Sequence, residues 1–171
     1  MRQRAATKAK AAVRVNVGGQ QFRDREGNLW APDQAYHAGS WGCLDMPDTY
    51  VLTTTDAIAD ADDAPLFQSL RVGEEIRYRF DLPNGTYQVR LLFAEIYWES
   101  NAAERQEVFI QGKRVLENFG VFAEVGHDTA REKTFAAKVT SGRLEVRFVG
   151  VSLPMHAGAN VCAIEITRAG K

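Results

Sequence analysis

Long apolar runs are missing from this 171-residue sequence, and none approaches the roughly 20 residues needed to cross a bilayer as a helix. Cysteine is scarce: Cys43 and Cys162 are the whole supply, and they form no CxxC pair, which argues against a zinc site. Their pairing is open on the sequence alone. Excess charge is lacking too, with a net charge of -1. The first ten residues hold Arg2, Arg4, Lys8 and Lys10 and no acid, so the remaining chain carries -5, a balance that argues against nucleic acid as the main partner. That basic start has no apolar h-region and is not a secretory signal. Helical periodicity is scarce, internal repeats are missing, and no low-complexity linker follows residue 12. Catalytic signatures are equally thin. There is no GxSxG, P-loop or GxGxxG, and His37, His127 and His156 lack the spacing of a metal-binding helix. Asp60, Asp62 and Asp63 lack the calcium-loop pattern, so structural calcium has no motif behind it and no cofactor is expected.

What the chain does have is a series of short alternating strands. At 45% hydrophobic and 25% charged, it has the composition of an ordinary globular domain able to bury a core. Val13, Val15 and Val17 alternate with Arg14 and Asn16, and Gly18-Gly19 ends that run. Tyr50–Thr53 is a weaker strand. Ile76, Tyr78, Phe80 and Leu82 alternate with Arg77, Arg79 and Asp81, and Pro83-Asn84-Gly85 predicts a hairpin turn into the next strand. Asn84-Gly-Thr86 is also a glycosylation sequon, although the turn already accounts for it. A second hairpin is predicted around Gly112, and further strands at 132–139, 143–149 and 161–167. Residues 24–48 are irregular, with one helical turn expected near Pro32, and only Asp60–Gln68 has the pattern of a short helix. These features predict a single all-β domain over residues 13–168: a two-sheet antiparallel β-sandwich with long loops, preceded by a tail or linker at 1–12.

The most informative stretch is Gly85–Trp98, a strand with Tyr87, Val89, Leu91 and Phe93 on one face that ends in Tyr97-Trp98. Adjacent aromatics at the end of a core strand can close the core or form a platform for a sugar ring, whose C–H face is apolar and whose edge is polar. Trp30, Tyr36, Trp41, Phe67, Phe119 and Phe122 also fall in or beside predicted loops, and several loop aromatics at one end of a sandwich make a recognition surface. Glu95 shares the register of Phe93 and Tyr97. A buried carboxylate there could serve as a general acid, but glycoside hydrolysis needs a second carboxylate, and none is marked.

Taken in order, Val15-Asn-Val-Gly-Gly19, Leu66-Phe-Gln-Ser69, Pro83-Asn-Gly-Thr-Tyr87, Leu92-Phe-Ala-Glu-Ile-Tyr-Trp98, Val125-Gly-His-Asp-Thr-Ala130 and Val161-Cys-Ala-Ile-Glu-Ile166 give a close resemblance to the malectin-like carbohydrate-binding modules, grouped as carbohydrate-binding module family 57. The resemblance implies a galactose-binding-like sandwich that holds sugar in loops at one end. It places the family's aromatic pair on Tyr97 and Trp98, a further tyrosine on Phe67 and an early-loop aromatic on Trp41. The family's aspartate falls near Ala157, with His156 or Asn160 as replacement polar contacts. The lost carboxylate and phenol predict a glycan other than maltose, such as a β-linked plant or algal polysaccharide. Gly39-Ser-Trp-Gly42 is similar to modules appended to bacterial glycoside hydrolases, which implies a covalently linked catalytic domain and a secreted or periplasmic parent enzyme. The expectation is therefore a non-catalytic module that binds oligo- or polysaccharide through Trp41, Phe67, Glu95, Tyr97, Trp98, His156 and Asn160, without membrane or nucleic-acid partners. Two rivals come from other classes: a small glycan-active hydrolase using Glu95, and a β-sandwich that docks another protein.

Overall fold

The computed structural model describes residues 11–100, 104–151 and 158–170. In chain order the strands are β1 (Ala11–Asn16), β2 (Phe22–Arg23), β3 (Leu29–Pro32), β4 (Trp41–Cys43), β5 (Tyr50–Thr53), β6 (Ser69–Gly73) and β7 (Glu75–Asp81). They continue as β8 (Gly85–Phe93), β9 (Gln106–Ile110), β10 (Lys113–Phe119), β11 (Arg131–Val139), β12 (Arg143–Gly150), β13 (Ala159–Val161) and β14 (Ala163–Arg168). Three sheets result, with strand orders β11-β8-β14-β1-β3-β2, β10-β9-β12-β7-β4 and β13-β6-β5. The first two carry the inward-facing residues of one shared core, which makes the all-β sandwich.

Period-two alternation builds that core. In β7 the buried residues are Ile76, Tyr78 and Phe80, and in β12 they are Leu144, Val146 and Phe148. They face Tyr87, Val89, Leu91 and Phe93 of β8 and Ile164 and Ile166 of β14. Phe93 meets Phe119 and Phe148 edge-on, with ring centroids 5.0 and 6.3 Å apart. Each fully buried side chain of this size stabilises the fold by about 1.5–3 kcal/mol. The other face of the β8–β14 pair, through Leu92 and Ala163, packs into a second cluster with Trp30, Ile58, Leu66, Phe67 and Leu70.

The structure changes several sequence expectations. Pro83-Asn84-Gly85 is not a hairpin, because β7 and β8 belong to different sheets and the turn crosses between them. It is tied instead to the turn between β11 and β12: Gly142 N donates to Asn84 Oδ1 at 2.8 Å, Leu82 N to Gly142 O at 3.0 Å, and the Tyr87 hydroxyl to Pro83 O at 2.7 Å. The turn at Gly112 is a true hairpin joining β9 to β10, and both Gln111 (φ 52°) and Gly112 (φ 75°) take the left-handed values of a type I′ turn. Pro32 ends a strand, and the short turn of helix in that region is at Met46–Asp48. Asp60–Gln68 supplies only a 3₁₀ turn at Ala64–Phe67, while an α-helical turn that sequence reasoning missed lies at Val121–Val125. Cys43 and Cys162 are buried free thiols in separate clusters.

Candidate functional site

The small third sheet forms one wall of a pocket. Register sets Tyr50 of β5 and Asn160 of β13 directly opposite Val72 of β6, and Leu52 opposite Leu70. Alternation then gives these five side chains one face, while Arg71 points to the other. There Arg71 donates to Asp33 through Nε (3.0 Å) and Nη2 (2.7 Å) and to Thr49 Oγ1 (2.9 Å), and Tyr78 and the Gly18 amide donate to the same Asp33 carboxylate. A buried ion pair thus fastens the wall to the sandwich. From the opposite edge of β13, the buried Gln106 side chain brackets the Asn160 main chain, donating to its carbonyl and accepting from its amide.

The segment after β8 forms the facing wall. Glu95 is 3% exposed, and its Oε1 accepts from the amides of both Tyr97 and Trp98 at 3.0 Å, so the carboxylate turns the chain and presents the two rings. The rings meet edge-on with centroids 5.0 Å apart. The Val125–Ala130 segment clamps this turn. Asp128 N donates to Glu95 O, and the His127 Nδ1–H donates to Trp98 O, both at 2.8 Å. Burial pushes the Glu95 carboxyl up, against the lowering effect of its two amide donors.

Tyr50, Leu52, Leu70, Val72, Glu95, Tyr97, Trp98, Glu104 and Asn160 together enclose about 330 Å³, within the range of small-ligand sites. Tyr97 is 63% exposed and Tyr50 57%, both unusual for large rings. Glu104 accepts hydrogen bonds from the side chains of Trp98 and Asn160, but burial and then the nearby Glu95 charge outweigh them and raise its carboxyl to about 7. The Tyr50 phenol is raised by burial and by Glu104.

Of the residues expected from sequence, the structure brings Glu95, Tyr97, Trp98 and Asn160 together. It does not bring Trp41 or Phe67 there. Trp41 sits opposite Phe80 across the β4–β7 pair, with parallel rings 6.4 Å apart. Phe67 is 3% exposed in the second core cluster and borders a different, heavily ion-paired cleft of about 270 Å³ with Arg14 and Arg25. Its missing hydroxyl therefore has no bearing on this pocket, and of the two departures from the family only Ala157 bears on maltose. His156 and Ala157 lie outside the described residues. Nor do the remaining loop aromatics converge: Trp30 is core and donates to Asp24, Tyr36 donates to Asp81, and Phe119 is core. Sequence reasoning missed Tyr50, Leu52, Leu70, Val72 and Glu104. The alternation of Tyr50 and Leu52 was a usable signal for a shared face, but nothing local marks Glu104. Among the described residues no cluster of histidine, cysteine or acidic side chains could hold a metal ion.

Comparison with known proteins decides the family. The family model described as the malectin domain matches residues 11–166. The chain belongs to the malectin domain family. Malectin of Homo sapiens is 26% identical over 136 residues, which cover 78% of this chain and 44% of that protein. A probable LRR receptor-like serine/threonine-protein kinase of Arabidopsis thaliana is 31% identical over 180 residues, covering 89% of this chain and 17% of the kinase. The crystal structure of a Bacteroides uniformis beta-glucuronidase superposes with a TM-score of 0.81 at 32% identity, covering 92% of this chain and 18% of that one. This malectin domain thus spans less than half the length of each of these relatives.

The raised Glu104 carboxyl carries a consequence for stability. Between about pH 4.5 and 7 the folded state holds a proton that the unfolded state has released, so stability from this group is lost as pH rises through that window. The Glu104→Gln variant should therefore match the wild type near pH 4 and exceed it at pH 8. The full shift corresponds to about 3 kcal/mol, which solvent screening at the pocket mouth reduces to about 1–2 kcal/mol. Denaturant titrations at the two pH values check this, and an equal or lower stability of the variant at pH 8 contradicts it.

Proposed function

We propose that this malectin domain is a non-catalytic carbohydrate-binding module whose pocket between Trp98, Tyr97 and Tyr50 takes a sugar of an oligo- or polysaccharide. The observation that carries the proposal is the exposure of two large rings beside a pocket floored by Leu52, Leu70 and Val72 and edged by carboxylate and amide groups. Aromatic faces suit the C–H faces of a pyranose at about 0.5–1.5 kcal/mol per stack, and the polar edge suits its hydroxyls. One shallow site of this kind corresponds to a Kd of about 1 mM to 1 μM. The parent protein in this proposal is a secreted or periplasmic bacterial glycoside hydrolase, in which tethering raises the local substrate concentration. Its support is the likeness, at 32% identity, to a segment of a bacterial beta-glucuronidase.

One observation favours a hydrolytic reading: Glu95 and Glu104 are neighbouring carboxylates with raised pKa values. Against it, Oε1 of Glu95 is already engaged by two backbone amides. Incubation with glucose- and galactose-based oligosaccharides is expected to give saturable binding and no released sugar. Product formation that disappears in Glu95→Gln or Glu104→Gln overturns the module in favour of the hydrolase.

A further inference from the structure

Two features of the pocket go beyond a generic sugar platform. The first is a pair of polar residues, Glu104 and Asn160, in the pocket lining. Glu104 accepts from the Trp98 and Asn160 side chains, and a Cβ added at Gly158 would collide with its carboxylate, so the chain at 158 packs against it. Asn160 is 3% exposed and lines the pocket, yet its Oδ1 has no partner among the described residues. A buried amide oxygen without a donor is destabilising, and a ligand hydroxyl would supply the missing hydrogen bond. The second feature is the sign of the surrounding charge. Past Tyr50, Val72 and Glu104 the pocket continues into a cleft lined by Asp45, Asp48, Glu74 and Glu75. Among the described residues neither cavity is lined by an arginine or lysine. Arg77 pairs with Asp45 and Glu75, and Arg147 also pairs with Glu75, which leaves Asp48, Glu74 and Glu104 as the cleft acids outside these pairs.

We propose that Glu104 and Asn160 read the hydroxyls of the bound sugar, and that the acidic surroundings make this a site for uncharged glycans that rejects uronic acids. The inference rests on the carbohydrate-binding reading above and names its ligand class. A carboxylate accepts from two vicinal hydroxyls at once, and the Asn160 oxygen takes a third. A uronic acid replaces a hydroxymethyl group by a carboxylate and sets a further negative charge beside Glu104 and the acids of the adjoining cleft.

The test pairs sugars that differ only in that replacement: cellobiose with cellobiouronic acid, and galactobiose with digalacturonic acid. Titrations are run by calorimetry at pH 8, where Glu104 is ionised. The wild type should bind at least one neutral member at least tenfold more tightly than its acidic counterpart. Glu104→Gln should weaken the neutral sugar about tenfold and narrow the gap to its counterpart. Gly158→Ala, which displaces the carboxylate without touching its chemistry, should weaken the neutral sugar as well. Equal binding of both members of a pair, or neutral binding that ignores Glu104→Gln while Trp98→Ala abolishes it, overturns this inference and leaves the sugar site standing. Sugar binding that ignores Trp98→Ala, or no binding of any sugar, overturns both.

Discussion

Replacing Arg71 by alanine should destabilise the domain by about 3–5 kcal/mol, the largest single effect among the polar residues described here. Arg71 and Asp33 side chains are 6% and 5% exposed, and among the described residues the guanidinium is the only cation bonded to that carboxylate. Removing it leaves a buried charge whose remaining donors among the described residues are Tyr78, Gly18 and Gln34. Those donors are neutral and cannot match an ion pair. Because Arg71 lies between Leu70 and Val72, the same change loosens the wall of the pocket. Denaturant unfolding measures the loss. The double variant Arg71→Met with Asp33→Asn should recover much of it, because no buried charge is then left over. A loss below about 1 kcal/mol for Arg71→Ala would mean that water reaches Asp33 in solution.

The second large effect falls on binding. Trp98→Ala should raise the Kd for the bound glycan by roughly 10- to 100-fold, or about 1.4–2.8 kcal/mol. The substitution removes a stacking face and also the indole donor that holds Glu104. Trp98 is partly exposed and closes no sealed core, so the fold should lose only about 1 kcal/mol. Loss of the fold without loss of affinity in the folded fraction would make Trp98 a core residue and move the site elsewhere.

How far these features could be read from sequence depends on how locally they are encoded. Alternation in Ile76–Phe80, Val89–Phe93 and Leu144–Phe148 is a property of neighbours, so strands and core were legible, as was the Tyr97-Trp98 turn that Glu95 caps two residues away. Topology was less so. Pro83-Asn84-Gly85 has the composition of a hairpin turn, and only the pairing of β8 with β11 and β14 shows that the chain crosses between sheets there. Burial decided the aromatics. Trp30, Phe67 and Phe119 look like loop rings in sequence, yet each packs into a core supplied by distant strands. The wall opposite Trp98 was hidden for the same reason: Tyr50, Val72 and Asn160 are far apart in sequence and meet only through the register of β5, β6 and β13. Glu104 draws its character from Glu95, Trp98 and Asn160, and the same residue in open solvent would be ordinary.

The chain's three tryptophans report on three separate places: Trp98 in the pocket, Trp30 in the second core cluster beside the ion-paired cleft, and Trp41 against Phe80. A nitrogen–proton correlation spectrum of the labelled protein resolves their three indole N–H signals. Titration with the tightest-binding neutral glycan should shift the Trp98 indole signal in proportion to occupancy and leave those of Trp30 and Trp41 in place. Saturable movement of the Trp30 or Trp41 signal, with that of Trp98 unmoved, would contradict the account.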